Sequence, residues 1–65
     1  MYTEQQMINY LQSILDRAKY EEERYGRDER TIALFDRAIA CKDMVEALIQ
    51  KPVNLRKDGK VTVGF

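Results

Sequence analysis

Apolar residues enter this chain at helical spacing. Met7, Ile8, Leu11, Ile14, Leu15, Ala18 and Tyr25 recur at three- and four-residue steps. They fall within roughly 100° of arc, as on one side of an amphipathic helix. Tyr10 lies on the flank of that stripe, and Tyr20 points the opposite way. Upstream, Thr3-Glu4-Gln5-Gln6 has the form of a capping box, with Thr3 as cap and Gln6 reaching back. The spacing therefore predicts a helix over about 3–25.

The stripe breaks at Tyr25-Gly26-Arg27-Asp28-Glu29-Arg30. Gly26 suits the left-handed position just past a helix end. Asp28 is a ready N-cap, and Glu29 complements the dipole of a second helix. Continuing the first heptad past Gly26 would put Glu29 and Asp36 on the seam, so a turn is favoured over one long helix. The second helix, about 28–51, has its own seam at Leu34, Ala38, Cys41, Val45 and Leu48. That seam is expected to face the first helix. A second apolar stripe, Ile32, Phe35 and Ile39, lies well away from it. A helix that is apolar on most sides is a buried helix, and the first helix can cover only one side.

Pro52 ends the second helix at about Gln50 or Lys51. Val53 and Leu55, then Val61, Val63 and Phe65, alternate with polar residues as strands do. Asp58-Gly59 marks the turn. A two-residue loop would split the apolar residues between faces. A three-residue loop, Lys57-Asp58-Gly59 with Gly59 left-handed, pairs Leu55 with Val61 and Val53 with Val63. All four then share one face, so this register is expected.

The expected fold is α+β and mainly helical. It is one small domain over 1–65, with an antiparallel helical hairpin in 1–51 and a β-hairpin in 52–65, its strands at about 53–56 and 60–64. Five-residue strands span about 17 Å, so the tail should cover the C-terminal half of its own helix pair and stop short of the other end. Ile32, Phe35 and Ile39 are then the candidate dimer or partner interface. Two-fold dimers dominate soluble oligomers, and two helical hairpins make a four-helix bundle. Either the β-hairpin of one copy covers the Ile32 patch of the other, or the hairpins join in one sheet.

Composition supports this reading. A chain of 65 residues buries only roughly 60% of its unfolded surface and needs extra support. Cys41 is the only cysteine and histidine is absent, which removes an internal disulfide and the usual zinc site. Oligomerisation remains. Apolar residues make up 45% of the chain, which argues against disorder. No window approaches the roughly 20 apolar residues of a membrane span, and the first residues lack the pattern of a secretory signal. A cytoplasmic location is expected.

Formal net charge is zero, but it divides: residues 1–50 carry seven basic and ten acidic side chains, and residues 51–65 carry four and one. The basic tail reads first as protection of a strand edge. Cys41 lacks a histidine to activate it and reads as a small core residue. The acidic runs Glu21–Glu23 and Asp43–Glu46 do not converge on one face, and Glu22 and Asp43 fall at opposite ends of a helical hairpin. No catalytic, cofactor or metal site is assigned, and the chain is not expected to be an enzyme.

The leading expectation is a small cytoplasmic protein-interaction or regulatory module. It is homodimeric, and compatible with a phage or mobile-element accessory protein. A nucleic-acid-binding regulator is the second reading, using the basic tail or the turn residues Arg24, Arg27 and Arg30. Tyr20 beside Arg24 is the candidate aromatic surface contact. Interleaved carboxylates weaken that footprint, since nucleic-acid binders usually show a strongly basic face. A metal-dependent hydrolase using acidic helix faces is the third.

Overall fold

The computed structural model describes residues 1–64; Phe65, into which the strand alternation continues, lies outside the described residues. Four elements follow in order: α1 (Glu4–Tyr25), α2 (Glu29–Ile49), β1 (Val53–Leu55) and β2 (Val61–Val63). Two antiparallel helices carry a two-stranded antiparallel sheet on one side.

Local chemistry sets each boundary. Thr3 Oγ1 accepts from the Gln6 amide at 3.1 Å, and Gln6 Oε1 accepts from the Thr3 amide at 2.9 Å. Both bonds satisfy orphan donors of the first turn. Gly26 ends α1 at φ +79°, its amide donating to Glu22 O at 2.9 Å. Asp28 caps α2, its carboxylate accepting from the Arg30 and Thr31 amides at 3.0 Å each. Thr31 completes the cap: its hydroxyl accepts from the Asp28 amide at 2.8 Å and donates to the Asp28 carbonyl at 2.9 Å. This satisfied hydroxyl lets a polar residue sit buried in the first turn. Gln50 closes α2 in the left-handed conformation, just ahead of Pro52.

The β-hairpin has the expected register, Val53 opposite Val63 and Leu55 opposite Val61. Lys57–Gly59 form the three-residue loop, closed by the Arg56 amide donating to Lys60 O at 2.9 Å. The Gly59 amide donates to Arg56 O at 3.0 Å, and Gly59 takes φ +87°. A left-handed glycine is what this loop geometry requires.

The sheet covers its own chain's helices, β1 along α2 and β2 along α1. Leu11, Leu15, Ala38, Val45 and Val53 form the buried centre. Ile8, Phe35, Ile49, Leu55, Val61 and Val63 pack around it. Side chains from the helices tie down the strand edges. Gln12 Nε2 donates to Gly59 O at 2.8 Å, and Gln12 Oε1 accepts from the Val61 amide at 2.9 Å. One carboxamide thus pairs like a peptide unit of a third strand. On the other edge, the Val53 amide donates to Glu46 Oε2 at 2.8 Å. Lys19 lies along Gly59, and its ammonium donates to Lys57 O at 3.3 Å. The hairpin tip therefore reaches Lys19, well into the second half of α1.

One expectation is corrected. The line of α2 buried between α1 and the sheet is Thr31, Ala38 and Val45, not the whole Leu34–Leu48 seam. Small residues on that line let the neighbouring elements approach closely. Leu34 and Cys41 are only half-buried, and Leu48 is 68% exposed. At about 100° per residue, Leu34, Cys41 and Leu48 lie progressively further, some 40° to 80°, around α2 from Ala38. That rotation turns them toward the side of the helix pair opposite the sheet.

Candidate protein-interaction face

The helix pair has one face under the sheet and one open. On the open face, α1 presents Met7, Tyr10, Ile14 and Arg17, and α2 presents Leu34, Arg37, Cys41, Met44 and Leu48. Both sets alternate in steps of three and four, the spacing of bundle seams. A hollow of about 490 Å³ lies between them at the end where α1 begins, lined by Tyr2, Gln6, Met7 and Tyr10 and by Cys41, Met44, Val45 and Leu48. None of these is charged. A second hollow, about 360 Å³, continues toward the interhelical turn, lined by Tyr10, Ser13, Ile14, Arg17, Leu34 and Arg37. Tyr10 borders both, and its hydroxyl accepts from Arg37 Nη2 at 3.5 Å.

Met44 is 67% exposed, and Tyr2 and Tyr10 also project into solvent. The chain's accessible surface is 5003 Å². A folded monomer of 7.7 kDa exposes about 4300 Å² by the usual mass scaling. The excess, roughly 700 Å², is close to the ~800 Å² that one partner contributes to a standard protein interface.

The residues that the sequence singled out are distributed differently. Phe35 packs against the chain's own core, while Ile32 and Ile39 remain 46% and 50% exposed on the outer flank of α2. The stripe is thus divided between core and surface. Arg24 Nη1 approaches the Tyr20 hydroxyl at 3.4 Å, and the Arg24 and Arg30 guanidinium groups each lie 5.7 Å from the Tyr25 ring centre. Arg27 turns to Glu22 at 4.0 Å, and Arg30 also pairs with Asp28 at 3.9 Å. Carboxylates beside the turn thus offset much of its positive charge.

Cys41 stands half-buried in the wall of the larger hollow rather than deep in the core. Burial pushes its thiol up, an effect partly opposed by the charge of Arg37. Such a thiol is a weak nucleophile at neutral pH. The Asp28 carboxyl is held below its usual range, chiefly by the hydrogen bond from the Thr31 amide. Among the described residues no group of three or more acidic or cysteine side chains could hold a metal ion. No helix among them is long and apolar enough to cross a membrane.

Sequence reasoning missed Gln12, Lys19 and Glu46 as sheet ties, because a polar residue on a helix flank carries no sign of a strand beside it. The open face did carry a signal. Met7 and Ile14, and Leu34, Cys41 and Leu48, repeat at intervals of seven. Compared with known proteins, the chain matches no family model, no curated sequence and no solved structure.

Proposed function

We propose that this chain is a small protein-interaction module, regulatory rather than enzymatic, that works as a homodimer through its open helical face. The observation that carries this is the uncharged hollow between Met7 and Tyr10 on one helix and Cys41, Met44 and Leu48 on the other. A short chain gains most from covering such a face. The excess surface is about one partner's share of an ordinary interface. Two copies joined here form a four-helix bundle with a β-hairpin on each outer side. The interface proposed is the groove rather than the Ile32–Ile39 flank, because the groove is concave, wider and lined from both helices. The arginines at the interhelical turn do not favour nucleic acid, since Glu22 and Asp28 lie against Arg27 and Arg30.

Sedimentation equilibrium at micromolar concentration tests the proposal. A dimer is expected, and Met44→Glu with Leu48→Glu should return a folded monomer. A wild-type chain that stays monomeric to about 100 µM, an affinity weaker than roughly −5.5 kcal/mol, would overturn it.

A further inference from the structure

The open face is asymmetric along its length, and that asymmetry dictates how a second copy can sit on it. Tyr10 is the midpoint, shared by the two hollows. On one side the lining is uncharged and carries the exposed ring of Tyr2. On the other side stand Arg17 and Arg37. Arg17 has only a long contact with Glu21, at 4.0 Å, and Arg37 has only the Tyr10 hydroxyl at 3.5 Å.

Resting on the homodimer reading above, we infer that the two copies pair head to tail about a two-fold axis that passes at the level of Tyr10. Side-by-side pairing would bring four arginines to one level of the interface, with only two Glu21 carboxylates nearby. Like charges facing each other across an interface are strongly disfavoured. Head-to-tail pairing separates them. With a rise of about 1.5 Å per residue, it places Arg17 and Arg37 of each copy at the level of Tyr2 in the other. A guanidinium over a tyrosine face is favourable there, more so once water is excluded. The same operation lays Leu48 of each copy near Ile14 of the other, apolar on apolar. Each half of the face is thus completed by the half it does not resemble, the self-complementarity that a two-fold interface demands.

Two measurements test the pairing on the full chain. In a Cys41→Ala background, Glu23→Cys offers one exposed labelling site per copy near the interhelical turn. Head-to-tail pairing puts the two sites about 40 Å apart along the bundle, side-by-side pairing within about 25 Å. Spin-label distance measurement separates these outcomes. Second, Arg17→Gln with Arg37→Gln should weaken dimerisation about tenfold, the size of a desolvated cation–π contact. Tyr2→Ala added to that pair should weaken it little further. A short label distance, or a dimer that tightens on losing the arginines, overturns the head-to-tail arrangement while leaving the homodimer intact. A chain that never dimerises overturns both.

Discussion

The two faces of the helical hairpin have similar residue types and opposite fates. Under the sheet, Ile8, Phe35 and Ile49 pack around Leu11 and Val45. On the open side Tyr10, Met44 and Leu48 stay exposed. Hydrophobicity does not separate the faces. What separates them is a 14-residue tail with its own polar ties: Gln12 to Gly59 and Val61, Glu46 to Val53, and Lys19 to Lys57. The covered face is the more constrained because apolar burial and edge hydrogen bonds coincide there. The open face has burial to gain and no segment of its own chain to provide it.

The largest expected effect breaks the comparison at its root. Leu11→Ala, at a fully buried position, should lose about 2–5 kcal/mol in urea denaturation. Leu48→Ala, measured on dilute chain, should stay within about 0.5 kcal/mol, the range of ordinary surface changes. Comparable losses at both sites would mean that the faces are not distinct in the isolated chain. Next, Gln12→Leu removes both bonds to the sheet edge and leaves the Val61 amide and Gly59 carbonyl unpaired. A cost of about 1–3 kcal/mol is expected, with hydrogen exchange at Val61 rising more than in α2. Unchanged exchange would show that the carboxamide does not hold the sheet.

Gly59→Ala comes third. The left-handed φ costs a non-glycine residue about 1–2 kcal/mol, and a Cβ there would sit 3.3 Å from Lys19 Cγ. The lysine stem can yield, so most of the loss should be backbone strain, read as a lower midpoint with the helical signal retained. The smallest effect is a dependence on pH. The Asp28 carboxyl is depressed in the folded chain. Its stabilising contribution is therefore complete above the ordinary carboxylate value and is lost as pH falls through the folded one. Asp28→Asn keeps a capping acceptor and should flatten that part of the acid profile. An identical profile in the variant would place the acid sensitivity elsewhere.

Much of the fold was legible in local chemistry. Thr3 with Gln6, Gly26 and Asp28 mark helix boundaries because capping involves only near neighbours. The hairpin register followed from requiring Val53, Leu55, Val61 and Val63 to share a face. The choice of face on α2 was not legible. That helix is apolar around most of its circumference, so periodicity offers several seams of similar quality, and the one with the largest side chains, Leu34 to Leu48, was not the one buried. The candidate site suffered accordingly. Phe35 entered the core, and the surface left open gathered around Tyr10, Cys41, Met44 and Leu48.

By itself, then, the sequence determined two helices, their junction, the hairpin and its register, together with the need for more burial than so short a chain contains. Only the tertiary structure decided which faces meet. Thr31, Ala38 and Val45 are small enough for α1 and the sheet to close over α2 together. Gln12 and Glu46 find strand edges that no local pattern announces. The remaining side is then left open by geometry, since one short tail can cover only one face of a helix pair.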